Sequence, residues 1–121
     1  MGSLSKRILV VDDDQGILDS FEVLLADRYD LVKAEDGFKA LQILETNPPR
    51  LMFLDIKMPG LNGIDVLRKL QRNRKDVRVV VITATNQENT EEEAISMGAM
   101  RYLRKPLDIF EIDRIASQVF C

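Results

Sequence analysis

In "ILVVDDD" the uninterrupted aliphatic run Ile8, Leu9, Val10 and Val11 ends in three adjacent carboxylates, Asp12, Asp13 and Asp14. Such a run fits a strand covered on both faces. Like charges side by side at its end are unfavourable unless something neutralises them. Three more chemically capable residues follow apolar runs in the same way: Asp55 after "LMFL", Thr83 closing "VRVVVIT", and Lys105 after "RYLR". Clustered carboxylates without soft ligands suit a hard cation such as Mg²⁺ or Ca²⁺. Magnesium usually takes one or two carboxylates and leaves positions for water and substrate phosphate. An anion would then be held by the metal, Lys105 and Thr83. Asp55 could act as a nucleophile toward phosphorus, because carboxylates form aspartyl-phosphate intermediates. The residue types thus point to a divalent cation placed to accept a phosphoryl group.

The elements that must bring these residues together are legible as alternation. Candidate strands are 7–11, 30–34, 51–54, 77–83 and 101–104. Helical spacing links Ile17, Leu18, Phe21, Leu24 and Leu25, then Ala40, Leu41 and Leu44 within about 38–46. A third helix is predicted over about 63–74 through Ile64, Val66, Leu67 and Leu70. A last one covers about 109–119, with Ile109, Ile112, Ile115, Ala116 and Val119 on one stripe. Asp14 is placed to cap the first helix, Asp108 with Glu111 suits a capping box, and Asp36-Gly37 and Asn62-Gly63 are turn signals before helices. The acidic segment after Thr83 offers only Ala94, Ile95 and Met97 as inward residues, so its helix should be weakly held. Strand–helix alternation with short connections predicts an α/β fold: one parallel sheet with helices on both faces. In such sheets ligands bind outside the carboxyl ends of the strands, where all five candidate residues would lie.

Composition sets the outer bounds. A chain of 121 residues, 45% hydrophobic, suits one domain, 1–121, whose N-terminal residues 1–5 are expected to be disordered or cloning-derived. A net charge of -3 argues against direct nucleic-acid binding. "MGSLSKR" is no signal peptide and no apolar run is long enough to span a bilayer, so no membrane association and a cytoplasmic location are expected. The single cysteine, Cys121, excludes a disulfide framework. No histidine is present, which removes Ser-His-Asp and Cys-His catalysis and requires any phosphohistidine to come from another molecule.

Four segments in order, "ILVVDDD", "LDIKMPGLNG" (54–63), "ITAT" (82–85) and "YLRKPL" (102–107), resemble the response-regulator receiver domain of two-component signalling over essentially the whole chain. The resemblance implies a flavodoxin-like, doubly wound five-stranded sheet in the order 2-1-3-4-5. It implies a phosphorylation-controlled switch, not an enzyme in the usual sense, with a histidine kinase or phosphotransfer protein as partner. Mapped onto this chain, Asp55 resembles the phospho-acceptor. Asp12 and Asp13 match the pair that organises Mg²⁺ (or Mn²⁺), with a backbone carbonyl from Lys57. Thr83 and Lys105 match the groups that hold the phosphoryl, and Tyr102 the aromatic switch. The Lys105–Pro106 bond is expected to be cis, and Lys57 and Thr85 would flank the path of the hydrolytic water. The output surface would be the fourth helix, fifth strand and fifth helix, contacting an effector or a second copy and serving, for example, transcription control. Phe110 departs from the usual pattern: it is either an exposed partner contact or packed on Leu107. Phe120 raises the same question.

Two other functions fit less of the sequence. An aspartyl-phosphate hydrolase of the haloacid-dehalogenase type needs a second aspartate two residues beyond the nucleophile, where this chain has Lys57. A phosphorylation-independent binding module on the same fold would not need all five strand-end residues.

Overall fold

The computed structural model describes residues 6–58, 60, 63–73, 76–84 and 90–120. Five strands and five helices alternate: β1 (Arg7–Val11), α1 (Gln15–Leu25), β2 (Asp30–Ala34), α2 (Gly37–Thr46), β3 (Leu51–Asp55), α3 (Gly63–Asn73), β4 (Arg78–Thr83), α4 (Thr90–Ser96), β5 (Arg101–Arg104) and α5 (Ile109–Val119). The strands form one sheet in the order β2-β1-β3-β4-β5, with every pairing parallel.

Because side chains alternate across a strand, the sheet divides the core in two. Ile8, Val10, Leu51, Phe53, Val80 and Ile82 face α1 and α5, where Leu18, Phe21, Leu25, Ile112 and Ile115 meet them. Leu9, Val11, Met52, Leu54, Val79 and Val81 face the other way, toward Ala40 and Leu44 of α2, Val66, Leu67 and Leu70 of α3, and Ala94 of α4. The central strand β3 is buried along its whole length, which is why "LMFLD" carries no alternation.

Capping fixes where helices leave the strand ends. Asp14 accepts the Gly16 N–H at 2.8 Å, Asp36 that of Lys39 at 2.8 Å, and Asp108 those of Phe110 at 2.9 Å and Glu111 at 3.4 Å. Asp55 is the last residue of β3, one beyond the expected strand end, and β4 begins at Arg78 instead of residue 77.

Two expected inward residues point outward. Ile109 is 52% exposed because it opens α5 and projects beyond the sheet; the inward stripe starts at Ile112. Ile95 is 46% exposed, since Ala94 and Met97, three apart, already define the inner line of α4. Phe110 is 74% exposed rather than packed on Leu107. Phe120, in contrast, has its ring centroid 5.3 Å from that of Tyr29, with the Arg50 guanidinium over the Phe120 ring at 5.2 Å from its centroid. No described helix is long and apolar enough to cross a membrane. Residues 1–5, Asn62, Thr85 and Cys121 lie outside the described residues.

Candidate functional site

The strand ends converge on a small acidic edge. β1 delivers Asp12, fully buried, and Asp13, exposed. The Asp12 N–H continues the β1–β2 ladder by donating to the Ala34 carbonyl at 3.1 Å. Its Oδ1 accepts the Asp14 N–H at 2.9 Å, and Asp14 in turn caps α1, so cap and carboxylate brace one turn. β3 delivers Asp55, only 3% exposed, whose Oδ1 accepts the Lys57 N–H at 3.0 Å.

Lys105 reaches into the cluster from β5. Its backbone N–H donates to the Thr83 carbonyl at 2.8 Å, and the Lys105–Pro106 peptide is cis. Its ammonium lies 2.9 Å from Asp12 Oδ2 and 3.5 Å from Asp55 Oδ2. Asp12 Oδ2 is thus buried against the ammonium and has no further partner among the described residues.

Oxygens of Asp12, Asp13 and Asp55 lie within 4.8 Å of one another. An all-oxygen set of three carboxylates, two of them buried and sharing a single ammonium, fits a hard divalent ion. Without such an ion the electrostatics are unfavourable. Burial pushes the Asp55 carboxyl up to about 6, Asp12 adds repulsion, and the Lys57 N–H and the Lys105 ammonium only partly offset both. For Lys105, burial opposes the charge, but the hydrogen-bonding and Coulomb pull of Asp12 and Asp55 outweighs it and raises the ammonium above its usual range.

Thr83 is fully buried at the end of β4, which places its hydroxyl-bearing side chain one strand from Asp55. Tyr102 is half-buried in β5 against the α2–α4 side of the core. The Lys57 side chain is exposed. The edge therefore gathers Asp12, Asp13, Asp55, Lys105 and the backbone of Lys57, with Thr83 beside them, while Thr85 lies outside the described residues.

Gly63 is a site residue that spacing alone did not reveal. It opens α3, and a Cβ there would lie 2.5 Å from both the Asp55 carbonyl oxygen and Ile56 Cα. Only glycine lets α3 start against the backbone of the acidic residue. Its turn signal was visible in "NG", but the close approach depends on β3 and α3 packing and has no sequence signature.

Known proteins resemble this chain in sequence and fold. The family model for the response regulator receiver domain matches residues 8–117. Sporulation initiation phosphotransferase F of Bacillus subtilis (strain 168) is 34% identical over 110 residues, covering 90% of this chain and 89% of that protein. The alkaline phosphatase synthesis transcriptional regulatory protein PhoP of the same organism is 33% identical over 111 residues, covering 91% of this chain and 46% of PhoP. The chain thus spans about half the length of that regulator. Among solved structures, the CheY-like receiver domain protein from Methanospirillum hungatei JF-1 superposes with a TM-score of 0.89 at 28% identity, covering 97% of this chain and 95% of that one. The receiver domain of NtrX from Brucella abortus gives 0.85 at 31% identity, covering 93% and 96%. With a family match across residues 8–117, relatives of about a third identity and a shared fold, the chain belongs to the response regulator receiver domains of two-component systems.

Proposed function

We propose that this protein is a phosphorylation-controlled switch whose acceptor is Asp55. The observation that carries the reading is a buried carboxylate, Asp55, at a strand end beside two further carboxylates and one ammonium. The chain has no histidine, so a histidine kinase or phosphotransfer protein supplies the phosphoryl group. An Asp55 carboxylate oxygen forms the new P–O bond as the donor P–N bond breaks, the imidazole leaving with the electron pair. Asp12, Asp13, Asp55 and the Lys57 carbonyl are the groups that would hold Mg²⁺, which when bound neutralises charge on the carboxylates and the transferred oxygens. Lys105 pairs with a phosphoryl oxygen, and Thr83 follows it, drawing Tyr102 and the α4–β5–α5 surface into a new arrangement.

Donor docking finds support beside α1. Ile17, Ser20, Leu24, Leu107 and Ile109 line a groove between α1 and α5, widened by the 86% exposed Val23. Its upper end, at Ile17 and Leu107, lies within a few residues of Asp14 and Lys105. Such a switch belongs in the cytoplasm, where a kinase's catalytic portion meets it. The test is incubation with a small-molecule phosphodonor and Mg²⁺, followed by mass spectrometry of the borohydride-trapped product. Conversion of Asp55 to homoserine, the alcohol left when hydride reduces an acyl phosphate and phosphate departs, is expected and should be absent from Asp55→Asn; reduction at another carboxylate overturns the assignment.

A further inference from the structure

We infer that α3 links the acceptor carboxylate to α4 by a second route, separate from Thr83 and Tyr102, and that the cleft under the α4–β5 turn is the space into which this link lets Met97 move. The inference rests on the phosphoryl-acceptor reading of Asp55.

The two ends of α3 differ in clearance. At its first residue, Gly63, the helix abuts backbone: a Cβ would fall 2.5 Å from the Asp55 carbonyl oxygen, and the Gly63 N–H donates to the Ile56 carbonyl at 3.3 Å. A shift of the Asp55–Ile56 backbone therefore meets α3 with no slack. Val66, Leu67 and Leu70 are buried along the sheet, so α3 moves as a rod. At the far end Leu67, Leu70 and Gln71 form one wall of a cleft of about 350 Å³. Val77 and Val79 form its floor, and Met97 and Gly98 its other wall. Interiors are otherwise close-packed, and a cavity of about 150 Å³ already admits a benzene ring.

The element facing this cleft is poorly anchored. Among the described residues α4 runs for seven, and Ala94 is its one fully buried side chain there. Its end is held by backbone: Gly98, at φ +97, donates to the Ile95 carbonyl at 3.0 Å, and Ala99 to that of Ala94 at 3.0 Å. Met97 is half-buried beside the cleft, and an unbranched thioether fills irregular space readily. A push on α3 at Gly63 thus reaches the wall of a cleft across which Met97 has room to yield.

Filling the cleft should uncouple this route and leave the acceptor site intact. Val77→Phe and the milder Val79→Leu would be compared with the wild-type chain by amide NMR, with Mg²⁺ and with or without beryllofluoride as phosphoryl mimic. In wild type, shifts are expected at Ile56 and Lys57, along Leu67–Gln71 and at Met97–Ala99. In the filled variants the response at Ile56, Thr83 and Tyr102 should persist while that at Met97–Ala99 falls at least twofold. An unchanged Met97–Ala99 response in a folded variant, Val79→Leu deciding if Val77→Phe does not fold, overturns the link. So does a wild-type response at Ile56 without one in α3. No wild-type response at Ile56 or Lys57 would overturn the acceptor reading itself, and the link with it.

Discussion

Asp55 is a carboxylate placed where its charge is costly. A folded-state value near 6 against an ordinary 3.8 means the folded protein holds this proton more tightly than the unfolded chain. Its contribution is therefore harmless below about pH 4 and becomes destabilising as pH rises through about 6. In metal-free buffer, Asp55→Asn should be more stable than wild type at pH 7 by on the order of 1–3 kcal/mol, with the difference shrinking toward pH 4.5. Urea unfolding at both pH values checks this; a difference independent of pH would show that burial does not strain the charge. We propose that Lys57 acts after phosphorylation. Its exposed, flexible ammonium can lie over the phosphoryl group and crowd the attacking water. Decay of phosphorylated protein should accordingly be faster in Lys57→Ala than in wild type in the same Mg²⁺ buffer. Asp55 was legible because, like Asp12, Thr83 and Lys105, it follows or closes an apolar run, and parallel strands end at one edge of the sheet; the role of Lys57 came from the resemblance. The Lys105–Asp12 ion pair was not, since it depends on which strand end leans toward which.

At the scale of the element, one contact deserves a direct test. Gly63→Ala would drive a methyl into backbone at 2.5 Å, which no rotamer can relieve. A loss of about 1–3 kcal/mol is expected, together with weaker Mg²⁺ binding as the Asp55 turn is displaced. Chemical denaturation and a metal titration on the same variant measure both; an unaltered Mg²⁺ affinity would separate α3 from the site. Helix existence was readable from periodicity in α1, α3 and α5, where several apolar residues agree. In α4 too few agree, and Ile95 was assigned inward because nothing in the sequence distinguishes it from Ala94 and Met97. Ile109 was misplaced for a different reason: a stripe read to the first turn does not show where the sheet beneath it stops.

Across the whole molecule, metal and stability are linked. An ion that binds the folded acidic edge and not the unfolded chain stabilises by RT ln(1 + [L]/Kd), about 2.7 kcal/mol at a hundred times Kd. Thermal unfolding at pH 7 should shift upward with rising Mg²⁺ in wild type and much less in Asp13→Ala, whose carboxylate is the exposed member of the trio. Alternation predicted a parallel sheet with two covered faces, but the order 2-1-3-4-5 came from resemblance, because strand order is a long-range property that local patterns do not encode. The division of the core has a consequence of its own. The groove at Val23 and Ile109 belongs to one face of the sheet, and the cleft at Leu70 and Met97 to the other, with the strands as a partition. Because α5 borders the groove and also belongs to the proposed output surface, only the packing beneath α4 lies wholly beyond the partition. Descendants of such a chain can therefore retune that layer without touching the groove, whereas a change in α5 alters partner choice and response together.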